Sequence, residues 1–283
     1  MVTQIAKEES IYCTAFEQVN ENESATWLKH LRENAFDSFE KSGFPTPENE
    51  EWKYTNVAPI NKETFEISFE KTEVEFEKFV YEEAKTSQLA FVNGVFNLEA
   101  SNLSALPEKV VALNLKDALK DEKYESVIRE NLARVVDYNE NGFTALNTAF
   151  LNDGAFLFLS KDVKVETPIH FLFVSTESKA SFPRVLLVAE RGSEATIIEN
   201  YVSVPPAVAG GYNSSFTNAI VEIVLADDAK LKHYRVQRES VSAFHVGTTK
   251  AELNRGSSYN STNINLGASL SRHNVSVKFN QRR

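Results

Sequence analysis

Apolar residues in the second half of the chain recur in short alternating runs, each broken by a tight turn. Val185–Ala189 leads through Glu190, Arg191 and Gly192 into Ala195–Val202. Ile220–Leu225 leads through Asp227 and Asp228 into Leu231–Val236, and Ala251–Leu253 leads through Arg255 and Gly256 into Tyr259–Leu266. Turn residues at Gly154, Gly192, Asp228 and Gly256 mark a loose repeat of roughly 28 to 38 residues. A strand–turn–strand unit cannot bury its apolar face alone, so such units stack on their neighbours. The pattern therefore predicts a stacked β-solenoid, which works chiefly as a platform for partners. At its far end His273, Val275, Val277 and Phe279 alternate with Arg272, Asn274, Ser276 and Lys278, as in a half-buried strand.

The first half follows other periods. Residues 1–23 read as a polar lead-in with a helical stretch near Ile11–Val19. Trp27, Leu28, Leu31, Ala35 and Phe39 recur at helical spacing and predict a helix from about Ser24 to Lys41, stopped by Gly43, Pro45 and Pro47. Phe65, Ile67 and Phe69 alternate as a short strand, and a charged, helix-prone stretch covers Val74–Ala84. Leu89–Asn93 turns at Asn93-Gly94 into Val95–Leu98, a hairpin signal. Helices are predicted over Leu115–Leu119, Lys123–Val136 and Phe143–Leu151, with a break at Asn139–Gly142. The chain thus reads as mostly β: a helical and mixed α/β region over residues 1–150, then a β-solenoid core over 151–283. No capping helix follows Phe279, so the last coil reads as open and the β-helix as incomplete at its C-terminal end. An open coil exposes strand edges and invites self-association.

Composition narrows the function. With 283 residues and 42% hydrophobic content the chain can build a real core. It lacks the run of about 18 apolar residues that a membrane span needs, and Met1–Ser10 lacks the apolar stretch of a secretory signal. Cys13 is the only cysteine, which rules out an internal disulfide and any cluster or zinc site built from this chain's thiolates alone. A cytoplasmic location fits that usage. The net charge of -10 is uneven: residues 1–150 hold 15 Lys+Arg against 28 Asp+Glu, and residues 151–283 hold 15 against 12. The acidic half argues against nonspecific nucleic-acid binding.

Catalytic motifs are absent. There is no Gly-x-Ser-x-Gly and no Walker A sequence. Gly210-Gly211, within Pro205–Tyr212, reads as an excursion between coils, since no helix with Lys and Ser/Thr follows. The five histidines, His30, His170, His233, His245 and His273, form no His-x-x-x-His or Glu-x-x-His pair. His233 and His245 deserve watching, because they lie beside Arg235, Arg238 and Glu239 in the solenoid. Asp227-Asp228 reads as a turn, and Trp52 and Tyr54 as anchors of a loop on a core. Two other readings compete with the platform reading. A cytosolic β-helix carbohydrate-active enzyme would need carboxylates and basic residues along one groove; an unrelated β-helix interaction module would need only the solenoid.

Three stretches carry a resemblance. Phe44–Thr55, with Glu51-Trp52-Lys53-Tyr54-Thr55, is one; Phe182–Thr196, containing Gly192, is the second; Gly267–Asn274, containing Arg272, is the third. Together they resemble the SufB/SufD family of the Suf iron–sulfur cluster assembly system. The Trp-Lys-Tyr-Thr element and the lack of solenoid cysteines are more similar to the SufD branch. The resemblance implies a right-handed parallel β-helix behind a helical region. It implies a non-catalytic scaffold subunit of a SufBCD-type complex, pairing with SufB and contacting the ATPase SufC through a C-terminal helical region. The iron–sulfur cluster would be handled by the assembled complex, with no cofactor bound by this chain alone. Members of the family continue well past the equivalent of Phe279, so the chain reads as C-terminally truncated and the SufC-contacting region as missing. The motif residues carried over are Trp52, Lys53, Tyr54, Thr55, Gly192 and Arg272; no catalytic residue or metal ligand is assigned.

Overall fold

Strands of the second half alternate between two sheets. The computed structural model describes residues 11–21, 25–67, 69–176, 178–204 and 214–280. The lead-in through Ser10, the predicted helix start at Ser24, the Pro205–Tyr212 excursion and the Gln281–Arg283 tail lie outside the described residues. In chain order the helices are α1 (Ile11–Glu21), α2 (Thr26–Ser42), α3 (Ala58–Lys62), α4 (Leu115–Ala118), α5 (Glu122–Asn131) and α6 (Gly142–Ala149). The first strands are β1 (Gln88–Val92), β2 (Val95–Asn102) and β3 (Val110–Asn114). After α6 come β4 (Gly154–Leu159), β5 (Ile169–Ser175), β6 (Ala180–Ser181), β7 (Arg184–Ala189), β8 (Glu194–Ser203) and β9 (Phe216–Leu225). The last are β10 (Lys230–Arg238), β11 (Phe244–Leu253), β12 (Ser258–Asn265) and β13 (Leu270–Phe279).

Among the described residues one sheet has the order β12-β10-β8-β5-β1-β2 and the other β13-β11-β9-β7-β4-β3, with β6 pairing β9. The pairs β1–β2 and β3–β4 are antiparallel, and the remaining pairs are parallel. From β7 to β13 each strand lies in the opposite sheet from the one before it. The strands flanking a tight turn therefore do not pair with each other; each pairs with the neighbouring strands of its own sheet. The fold is mostly β with helices, and its sheets are mixed.

The alternation seen in the sequence sorts side chains between the sheets and their outer faces. Val185, Leu187, Val221, Ile223, Ala251 and Leu253 of one sheet meet Leu89, Phe171, Ile197 and Leu231 of the other in one core. The outer face of the seven-stranded sheet is covered by helices. Phe216, Phe244 and Val246 pack with Phe36 and Phe39 of α2 and Phe143 and Leu146 of α6. Phe156 and Leu186 pack with Leu28, Leu115, Tyr124 and Ile128. Helix α6 starts at a capping box: the Asn141 side chain accepts from Phe143 N and Thr144 N, and Thr144 Oγ1 accepts from Asn141 N. Gly142 follows because a Cβ there would lie 1.9 Å from Gly43 O.

Several predicted elements change. Lys123–Val136 was expected to be one helix, but α5 ends at Asn131 and Ala133 takes φ 56°. The reason is tertiary: Glu222 accepts from the amides of Ala133, Val135 and Val136, which a continuing helix would spend on itself. The stretch Val74–Ala84 holds only two short 3₁₀ turns, Glu77–Phe79 and Glu82–Ala84. Val74, Phe76 and Phe79 instead cover the outer face of β1, β5 and β8, beside Ala90, Leu172 and Val202. Among the described residues of Phe65–Phe69, which leave out Ser68, there is a bridge from Glu66 to Lys179 and no strand. Strand β3 was not expected, although Val110-Val111-Ala112-Leu113 is an apolar run that could have signalled it. Gly154 is not one of the stacked turns. It opens β4, where a Cβ would lie 1.9 Å from Arg184 O; the equivalent turn residue is Asp162, at φ 59°.

Candidate functional site

The motif residues near the two ends of the chain meet. Trp52 is 2% exposed and stacks on Phe143, with ring centroids 5.1 Å apart. Arg272, from β13, lies over the indole, 4.0 Å from its centroid. Arg272 Nη1 donates to Thr55 Oγ1 at 2.8 Å, Nη2 donates to Glu51 O at 2.8 Å, and Nε donates to Asn274 Oδ1 at 2.9 Å. Trp52 and Thr55 thus face inward and are clasped by one guanidinium. Lys53 and Tyr54 face outward. Tyr54 is 92% exposed, so the expectation that it anchors the loop is not met, and the Lys53 ammonium lies 5.5 Å from its ring. A groove of about 340 Å³ runs beside Trp52, lined by Asn49, Glu50, Asn139 and Glu140.

Gly192 occupies a different corner. It has φ 70°, and a Cβ there would lie 2.4 Å from Asp162 Oδ1. Gly256 stands in the same relation to Asp228, at 2.3 Å. Each aspartate of one turn fills the space left by the glycine of the next coil. Asp227-Asp228 is a turn, as expected, with Asp228 at φ 61° and Asp227 O accepting from Gly192 N.

The interior holds the chemistry. Along the coil, columns of inward side chains change from apolar to polar. One runs Leu89, Phe171, Glu199, Arg235, Asn263; another runs Phe91, Phe173, Tyr201, Gln237, Asn265; a third runs Ile169, Ile197, His233, Ser261. Phe91, Phe173 and Tyr201 stack at 5.1 and 5.0 Å, and the Arg235 guanidinium caps the stack 5.2 Å from Tyr201. Glu199 Oε1 accepts from Tyr201 OH at 2.6 Å, and Glu199 Oε2 contacts His233 Nε2. His233 Nδ1 meets Tyr259 OH at 2.8 Å. In a second branch, Glu239 accepts from Thr217 OH at 2.6 Å, Gln237 Nε2 at 2.9 Å and His245 Nδ1 at 2.6 Å. Arg235 Nη2 donates to His245 Nε2, and Nη1 donates to Asn263 and Asn265 at 2.8 and 3.0 Å. Gly247 leaves room for this: a Cβ there would come within 3.2 Å of Arg235 Nη2 and 3.3 Å of His273 Cδ2.

Because a guanidinium only donates, His245 Nε2 is an acceptor and the imidazole proton sits on Nδ1. Burial alone would raise the Glu199 carboxyl. The charge and hydrogen bond of His233, with Tyr201 and Arg235, outweigh it and hold Glu199 at about 2. Glu239 is lowered in the same way, against burial, chiefly by His245. Burial, and then Arg235, pushes His273 down to about 3. Burial lowers His245 too, and Arg235 adds to this against the pull of Glu239.

His233 and His245, singled out in the sequence, thus join one network with their neighbours Arg235 and Glu239, while Arg238 is on the outer face, 5.6 Å from the Tyr81 ring. Glu199, Tyr201, Gln237 and Tyr259 were missed. Their signal was legible: each occupies an inward position of an alternating strand where an apolar residue belongs. The arrangement holds charge and can pass protons along a carboxylate–imidazole–phenol file. Its carboxylates and Arg235 are at most 4% exposed, so they do not line an open groove of the kind a polysaccharide-cleaving β-helix needs. Among the described residues no three His, Cys, Asp or Glu side chains converge as a metal site, and no helix is long and apolar enough to cross a membrane. Cys13 is far from this file, on α1, 3.8 Å from Glu40 Oε1.

Residues 6–171 match the family profile described as the SufBD protein N-terminal region, and residues 171–283 match the SufBD core domain of SUF-system FeS cluster assembly. An iron–sulfur cluster assembly SufBD family protein of Synechocystis sp. is 30% identical over 88% of this chain and 56% of its own length. A SufBD family protein of Staphylococcus epidermidis is 28% identical over 69% of this chain and 42% of its own. The protein ABCI7, chloroplastic, of Arabidopsis thaliana is 26% identical over 89% of this chain and 53% of its own. The chain spans about half the length of these relatives.

Proposed function

Because the chain belongs to the SufBD family of iron–sulfur cluster assembly proteins, we propose that it is a non-catalytic scaffold subunit of a SufBCD-type complex. Within the family we place it on the SufD branch, as a cytoplasmic protein. In this reading residues 151–283 are a right-handed parallel β-helix, and residues 1–150 are a helical and mixed region whose β1, β2 and β3 extend its two sheets. SufB is the partner along the later coils, and SufC binds through a region that longer relatives possess. The cluster is cargo of the assembled complex, and this chain alone binds no cofactor.

The observation that carries the reading is that the two SufBD profiles meet at residue 171 and together run from residue 6 to residue 283. Two features support it. The polar groups able to do chemistry lie inside the coil. The last strand presents Val275, Val277 and Phe279 at 48%, 38% and 73% exposure, an apolar edge suited to pairing with another strand. A second copy of this chain competes for the same edge.

The test is co-purification with SufB and SufC from the same source, beside a version extended to the length of its relatives. The longer chain is expected to bring both partners. If neither length retains either partner, the scaffold reading fails.

A further inference from the structure

We propose that the contact between Arg235 and His245 is an acid-sensitive catch that holds β12 on the coil. The proposal goes beyond the scaffold role and does not depend on it. Its basis is the position of one guanidinium. Arg235 reaches across the interior from β10, donates to His245 on β11, and with its other terminal nitrogen donates to Asn263 and Asn265 on β12. Strand β12 pairs with β10 in parallel from Ser258 to Asn265, and the two asparagine contacts add a side-chain hold at its far end. Its near end is tied by Tyr259 to His233.

The catch works only while His245 Nε2 has a free lone pair. A proton from solvent adds to that lone pair, and the new N–H then points at the Nη2 N–H. One hydrogen bond is lost and two like charges face each other at contact distance. Glu239 remains on Nδ1 and balances the imidazolium, so the guanidinium is the group displaced. The surrounding groups leave Arg235 little alternative. From β8, Glu199 is engaged by Tyr201 and His233, and the Tyr201 ring lies 4.7 Å from His245. From β9, Thr217 is spent on Glu239. From β13, His273 is held through Nε2 by Thr249, and burial keeps it neutral down to about pH 3. From β10, Gln237 donates to Glu239. Displaced toward the open side, Arg235 no longer positions Asn263 and Asn265 together.

Hydrogen exchange read by mass spectrometry tests this, corrected for the intrinsic pH dependence and run at about pH 7.5 and about pH 5. Amides of Ser258–Asn265 are expected to lose protection by about tenfold more than those of β5 and β8 at the lower pH. His245→Gln keeps an acceptor for Arg235 and a donor for Glu239 but cannot titrate, so its β12 is expected to show no such excess. Should that variant not fold, ¹⁵N NMR of His245 in the unaltered chain serves instead. The midpoint at which Nε2 becomes an N–H is expected to match the midpoint of β12 release. Equal loss across all strands, the same excess in His245→Gln, or midpoints that differ would overturn the catch.

Discussion

Arg272 lies 4.0 Å over the Trp52 ring while its two terminal nitrogens hold Thr55 Oγ1 and Glu51 O. One side chain near the end of the chain thus clasps a loop that lies more than two hundred residues earlier. The clasp fixes how the N-terminal cover sits on the seven-stranded sheet.

Arg272→Ala removes a cation–π contact and two charge-assisted hydrogen bonds to this loop, so it is expected to cost about 2 kcal/mol, or about 4 to 8 °C in Tm. Arg272→Lys keeps the charge but not the fork and is expected to fall between. Thermal melts check the order, and Trp52 emission in a Trp27→Phe background reports whether the indole becomes wet.

Glu222 is fully buried and takes two N–H bonds from Arg184 and three from the backbone at 133–136. Glu222→Gln leaves the Arg184 charge buried without its counter-charge, for which about 3 to 5 kcal/mol is expected. Urea melts give the loss. Limited proteolysis is expected to cut first within residues 132–137, where the released amides are.

Gly192→Ala puts a Cβ at φ 70° and against Asp162. The backbone strain alone costs about 1 to 2 kcal/mol, and the contact adds to it. Adding Asp162→Gly is expected to recover the contact part and not the strain. A double-mutant cycle in urea separates the two, and simple additivity would show that the stacked turns are uncoupled.

Acid is expected to destabilise the chain before carboxylates protonate. Burial holds His170 at about 3, assisted by Arg238, and His273 is likewise near 3. Unfolded, both bind a proton near 6.5, so between these values the unfolded state holds more protons. Stability is then complete above about pH 6.5 and falls as pH drops toward 3, by up to about 1.4 kcal/mol per pH unit for each histidine. Urea melts from about pH 7.5 to about pH 4.5 measure the slope, and His170→Gln is expected to reduce it.

The legible part of the fold was local. The helical spacing of Leu28, Ala35 and Phe39, the Asn93-Gly94 hairpin, and the run of alternating strands from Arg184 to Phe279 all appear where their periods placed them. What failed was tertiary in origin. Residues 132–136 carry an acceptable helical pattern, but Glu222, far away in sequence, outbids the helix for their amides. Residues 74–84 are helix-prone by composition, yet Val74, Phe76 and Phe79 are drawn flat onto a sheet that exists only once β1, β5 and β8 have paired. Of the site, His233 and His245 stood out in the sequence; Glu199 and Tyr259 were legible only as polar residues at inward positions, and parallel register alone set their partners.

The sequence by itself determined that this is a mostly β chain with a helical start, that its strands turn at Gly192, Asp228 and Gly256, and which family motifs it carries. Those follow from period, turn chemistry and residue identity, which are properties of neighbours along the chain. The tertiary structure alone decided that Trp52, Thr55 and Arg272 form one clasp, and that Glu199, His233, Arg235, Glu239 and His245 form one buried network. Stacking parallel strands brings every coil's equivalent position to within a strand spacing of the next, so residues some 30 apart become neighbours by a register that no local pattern encodes.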